Sequence, residues 1–140
     1  MDERTNGRLK MNLPNVNIWH FLIGSTLDYP GKPSIVLFTK GCNMSCKYCH
    51  NLKAMEVSQI YPSSYIFSVL KNTPLCDAIV ITGGEPCIQP QLIDFLKYLK
   101  KNFKHFIKLD TNGTYPDILK NILDLKLIEK KLFLYLLLIY

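Results

Sequence analysis

Apolar positions along this chain fall into short runs separated by turn-forming residues. Ser34 to Thr39 (SIVLFT) and Asp77 to Thr82 (DAIVIT) are β-branched and apolar at successive positions, the pattern of strands buried on both faces. His105 to Leu109 continues the series and ends at Asp110. Asn17 to Ile23 predicts an earlier strand, and Leu132 to Ile139 a last one. Between them the period lengthens. Gln91 to Asn102 places Leu92, Phe95, Leu96 and Leu99 on one helical face. Pro116 to about Lys126 predicts a second helix with Pro116 in its first turn. Ser63 and Ser64 are candidate N-caps for a third, running to about Lys71. Strands alternating with helices predict βα units and a parallel sheet. Right-handed crossovers put the helices on one face if such a sheet closes as a barrel. Residues 1–16 read as a flexible lead-in, and 17–140 as a single α/β domain without repeats.

Charge and ends narrow the picture. The net charge of +6 is spread over scattered lysines without a basic tract, so nucleic-acid binding is not expected. Met1 to Lys10 is charged and polar, without the apolar core of a secretory signal. Leu132 to Tyr140 (LFLYLLLIY) is far shorter than the about 20 residues a membrane-spanning helix needs. A buried strand is the expectation there, and the abrupt apolar end reads as a truncation or a shifted reading frame. Five cysteines cannot all pair internally, and three of them fall within eight residues. Such clustering suits a metal site in the reducing cytoplasm better than a disulfide framework.

The clustered cysteines are Cys42, Cys46 and Cys49, spaced C-x3-C-x2-C at the end of a predicted strand. Three thiolates suit zinc or an iron–sulfur cluster. A structural zinc site wants four protein ligands, and His50 is available as the fourth. An iron–sulfur cluster on three thiolates instead leaves one iron open to a small molecule. Cys76 and Cys87 lie outside this motif and read as ordinary small residues.

The loop resembles the signature of the radical S-adenosylmethionine (SAM) superfamily. The resemblance covers roughly residues 20–130 and extends to Asp28-Tyr29-Pro30-Gly31, Phe38 to Asn43, Tyr48 to Asn51, Ile81 to Pro86 and Lys108 to Gly113, in that order. Together these segments are similar to activating enzymes of glycyl-radical enzymes, and among those to the activating proteins of anaerobic ribonucleoside-triphosphate reductases. The resemblance implies a partial (β/α) barrel with parallel strands, truncated here to about four. It implies a [4Fe–4S] cluster on Cys42, Cys46 and Cys49, with SAM on its open iron. Reductive cleavage of SAM would then generate a glycyl radical on a partner enzyme. A reduced flavodoxin- or ferredoxin-like donor would supply the electron.

Site residues carry over position by position. Tyr48 matches the aromatic residue beside adenine, though core packing explains it equally well. His50 and Asn51 match other adenine contacts. Thr82, Gly83, Gly84, Glu85 and Pro86 match the segment along the methionine part of SAM; two glycines at a strand end permit close backbone approach. Glu85 alternatively reads as a loop carboxylate with no partner. Asp110, Thr111 and Asn112 match residues that hold SAM, beside a monovalent cation, or else form an Asx-type turn. Asp28 to Gly31 suggests either a partner contact or a tight turn. These motifs end parallel strands, where ligands bind in such sheets.

The family's next strand carries Asp-x-Lys. Here the corresponding stretch is Leu134 to Leu137, and Asp124-Leu125-Lys126 falls inside a predicted helix. A contact to the SAM carboxylate is therefore expected to be missing. Two further functions compete with glycyl-radical activation: radical SAM chemistry on a small molecule, and a non-catalytic remnant that binds a cluster.

Overall fold

The computed structural model describes residues 12–41 and 59–133, with side chains through residue 130. Five strands form one sheet: β1 (Ile18–Ser25), β2 (Ser34–Thr39), β3 (Ala78–Gly83), β4 (Phe106–Thr111) and β5 (Lys130–Phe133). Three helices, α1 (Ser63–Lys71), α2 (Leu92–Asn102) and α3 (Pro116–Asp124), lie between the later strands in sequence. Spatial order follows chain order. β2 to β5 pair in parallel, giving the four parallel strands expected. β1 departs from the expected alternation and pairs antiparallel with β2. The link from Ser25 to Ser34 is too short for the crossover that parallel neighbours require, so a hairpin forms.

Alternation along the strands separates two faces. Ile35 and Leu37, Ile79 and Ile81, and Ile107 and Leu109 join the apolar stripes of all three helices in one core. The helices therefore share one face, as right-handed crossovers require. Phe67 of α1 stacks on Tyr98 and Phe95 of α2, with ring centroids 4.3 and 5.4 Å apart. The opposite face carries Val36, Ala78 and Val80, and across them lies the buried Tyr29.

Several boundaries shift for local reasons. Pro62 occupies the N-cap of α1 and Ser63 is already helical. The Ser63 hydroxyl does not cap; it accepts from Val16 N at 3.4 Å and donates to Asn15 Oδ1 at 3.4 Å. The last residues of the expected flexible lead-in are thus anchored, and Val16 is fully buried. α3 stops at Asp124, short of Lys126. Lys126 turns left-handed (φ 53°), while Lys126 N bonds Leu123 O and Leu127 N bonds Ile122 O. That pair of bonds is a Schellman ending. β5 begins at Lys130, two residues before the expected Leu132, and residues 134–140 lie outside the described residues.

Candidate functional site

The C-terminal ends of β2, β3 and β4 meet at one edge of the sheet. β3 ends at Gly83 with φ +116°, a conformation that L side chains avoid. A Cβ at Gly83 would lie 2.3 Å from Thr39 N and 2.7 Å from Thr39 O. The two strand ends can therefore touch only through a glycine. The chain then turns so that Gly84 N donates to Thr39 O at 3.0 Å and Glu85 N to Gly41 O at 2.7 Å.

These bonds grip the root of the cysteine loop. Lys40 N donates to Asn17 O at 2.8 Å, and Gln89 Nε2 donates to Lys40 O at 2.9 Å. Gln89 Oε1 in turn accepts from Asn17 N at 3.1 Å. The far end of the loop is tied where Tyr61 N donates to Ile18 O at 2.7 Å. Cys42, Cys46, Cys49, Tyr48, His50 and Asn51 themselves lie outside the described residues. Among the described residues no cluster of three His, Cys, Asp or Glu could hold a metal ion.

The turns after β3 and β4 are joined by one side chain. Glu85 is fully buried. Its Oε1 accepts from Cys87 N at 3.0 Å and from Thr111 Oγ1 at 2.6 Å, while Oε2 accepts from Asn112 N at 2.7 Å. The alternative of a partnerless loop carboxylate is thereby corrected. Pro86 begins a single 3-10 turn, Pro86–Ile88, that Glu85 caps. Asn112 closes an Asx-type turn, its Oδ1 accepting from Thr114 N at 3.1 Å. Cys87 is buried and free, and burial pushes its thiol up to about 12.

On the face away from the helices, Phe38, Thr82 and Asp110 fall in one row near the strand ends. Phe38 pairs with Thr82, and Thr82 and Asp110 each follow the pair Ile81 and Leu109. Asp110 is buried, and burial raises its carboxyl above the usual range against the opposing pull of Lys108 and Thr82. Lys108 Nζ stands 3.1 Å from Asp110 Oδ1 and donates to Asp28 O at 2.7 Å. The Tyr29 ring packs with Val36, Ala78 and Val80 on this face, with Lys130 Nζ 5.1 Å from its centroid. The Asp28 to Gly31 segment therefore turns tightly, Lys32 N bonding Tyr29 O at 3.2 Å, and floors the open face.

Thr82, Gly83, Gly84, Glu85, Pro86, Asp110, Thr111 and Asn112 are thus brought to one edge. Lys108, Gln89 and the floor role of Tyr29 were missed from sequence. A lysine two residues before Asp110 inside an apolar strand was the available signal, because period-2 alternation puts both on one face. Gln89 offered no such signal.

This sheet is that of a partial radical SAM fold, and residues 36–131 match the radical SAM superfamily. The chain belongs to that superfamily. It is 45% identical over 108 residues to a protein of Methanocaldococcus jannaschii provisionally named a glycyl-radical enzyme activating enzyme, covering 75% of this chain and 44% of that one. It is 32% identical to the pyruvate formate-lyase-activating enzyme of Clostridium pasteurianum, over 75% of this chain and 48% of that one. It is also 35% identical to the 7-carboxy-7-deazaguanine synthase of Rickettsia prowazekii, over 61% of this chain and 38% of that one. The chain spans less than half the length of each of these relatives. The crystal structure of QueE from Escherichia coli shares the fold, with a TM-score of 0.56 at 21% identity over 71% of this chain and 53% of that one. Among the described residues no helix is long and apolar enough to cross a membrane.

Proposed function

We propose that this chain carries the cofactor-binding core of an activating enzyme that generates a glycyl radical on a partner protein. The observation that carries the reading is the built edge itself: a glycine-only contact, a gripped loop root and a buried acid at the ends of three parallel strands. The names of the M. jannaschii and C. pasteurianum relatives support the choice of reaction. The resemblance of Asp28 to Gly31 and Tyr48 to Asn51 to segments of the activating proteins of anaerobic ribonucleoside-triphosphate reductases supports that reductase as the partner. Free buried Cys76 and Cys87 suit a reducing cytoplasm, where a reduced flavodoxin- or ferredoxin-like protein serves as donor.

Membership of the superfamily supports a [4Fe–4S] cluster and SAM as cofactors, and the described edge offers polar groups suited to SAM. The buried Thr39 hydroxyl, three residues before Cys42 in sequence, has no hydrogen-bond partner among the described residues. Asp110 offers a buried carboxylate suited to an ammonium group. Cys42, Cys46 and Cys49 would hold the cluster; Tyr48, His50 and Asn51 would hold the adenosine part. Thr82, Gly83, Gly84, Asp110, Thr111 and Asn112 would flank the methionine part. When bound, the two groups supply one-electron cleavage and hydrogen-atom abstraction. The protein's own work is positional. Gly83 lets the ends of β2 and β3 meet, and Gln89 with Asn17 fixes where the cysteine loop departs. Asp110, held by Lys108, keeps an acid at the edge, and Tyr29 packs on Val36, Ala78 and Val80 of the same face.

The test is anaerobic incubation of the reconstituted chain with SAM, a reduced flavodoxin and anaerobic ribonucleotide reductase, followed by electron paramagnetic resonance (EPR). A glycyl radical on the reductase is expected. SAM cleavage without that radical would overturn the reading. The 7-carboxy-7-deazaguanine synthases among the relatives favour a second reading, action on a small molecule. Formation of 7-carboxy-7-deazaguanine would establish that one instead. A cluster that forms but never cleaves SAM would mark a non-catalytic remnant.

A further inference from the structure

We propose that Glu85 is a positioning residue whose buried carboxylate braces the turn after β4 against the turn after β3, and that the carboxylate itself is not a SAM ligand. The inference rests on reading this edge as the cofactor site. An ionised carboxylate has about four lone-pair positions. Three are taken by protein donors: Cys87 N, Thr111 Oγ1 and Asn112 N. The residue is 0% exposed, so the remaining position is not open to a ligand from solvent. Among the described residues no cation pairs with it; the charge is held by oriented N–H and O–H dipoles.

The same residue reaches a third element. Glu85 N donates to Gly41 O at 2.7 Å, just before the first cysteine. One residue therefore ties the cysteine loop root, its own turn and the Asp110 to Asn112 turn into a single unit. Ligand groups bound by two of these turns would feel any slack between them. Glu85 acts on SAM through Thr111 and Asn112, whose placement it fixes.

Glu85→Gln keeps the shape and breaks the brace. With either amide orientation, the new NH2 faces a backbone N–H, of Asn112 or of Cys87. Hydrogen exchange on the chain as purified, without iron or SAM, is expected to speed up at least about tenfold at one of those two amides. The α2 amides of Phe95 and Leu99 should not change. After anaerobic reconstitution, SAM titrated against the EPR signal of the reduced cluster should bind more weakly to Glu85→Gln. Thr111→Val should weaken it as well, and the double variant should lose less than the two losses combined, because both break one brace. Unchanged exchange at both amides together with weakened SAM binding would make the carboxylate a direct ligand and overturn the proposal. If Glu85→Gln does not fold, Thr111→Val alone decides: faster exchange at Asn112 supports the brace and unchanged exchange overturns it. Failure of the unsubstituted chain to bind SAM would overturn the functional reading, while the exchange result would still decide the brace.

Discussion

The two faces of the sheet are built from alternate residues of the same strands, yet they answer to different physics. The helix face is continuous and apolar, from Ile35 through Ile81 to Leu109, with Phe95 and Leu96 inserted against it. Its stability comes from area removed from water and tolerates no particular chemistry beyond shape. The open face is apolar around Tyr29, Val36, Val80 and Phe38, but it also carries the polar Thr82, Lys108 and Asp110. A side chain there has a specific partner or none at all. The difference teaches where function can be placed: on the face that burial alone does not fill.

Substitutions should separate the two faces. The largest loss is expected on the helix face, where Phe95→Ala should cost about 4 kcal/mol in denaturant unfolding. Gly83→Ala comes next, at about 3 kcal/mol, since it forces a side chain into φ +116° and against the Thr39 backbone. An equal loss for Leu125→Ala, half exposed beyond α3, would erase the distinction between core and surface.

Lys108→Met should cost about 2 kcal/mol at pH 7 by stranding the Asp110 carboxylate. Its sign with pH is defined. Asp110 already has a raised folded pKa, and losing Lys108 raises it further, so the variant binds a proton more readily when folded. Its stability deficit should therefore shrink as pH falls through the range above the ordinary carboxylate value. A deficit constant from pH 7 to pH 4 would show that the pair does not govern the open face.

The smallest effect concerns Cys87. Its folded pKa of about 12 lies above the ordinary thiol value of 9.0. The folded chain thus holds that proton more tightly than the unfolded chain. The stability this gives is complete below pH 9 and is lost as pH rises toward 12. Cys87 should resist iodoacetamide at pH 9 in the folded chain and react once unfolded, as peptide mass spectrometry would report. Rapid alkylation of the folded chain would contradict its burial.

Much of this was legible before the fold was known. Ser34 to Thr39 was bounded correctly because a strand buried on both faces leaves an unbroken apolar run. Leu92, Phe95, Leu96 and Leu99 showed their stripe for the same reason, since burial writes period into sequence. The hairpin was missed although its signal was present: Asn17 to Ile23 looks alike in either pairing, but the short link to Ser34 leaves no room for a crossover. The floor was not legible. Asp28 to Gly31 reads as a turn whether or not Tyr29 folds under a sheet, and the contact with Lys108 spans 80 positions. Glu85 was visible as a motif residue, but two of its three partners sit 26 and 27 positions away, so its bridging direction was hidden.

One measurement reaches the center of this account: the EPR spectrum of the anaerobically reconstituted, reduced chain before and after adding SAM. The account predicts a [4Fe–4S] signal that changes with SAM, and loss of the cluster signal in Cys46→Ala. A chain that takes up stoichiometric zinc under those conditions, or forms no cluster at all, would contradict it.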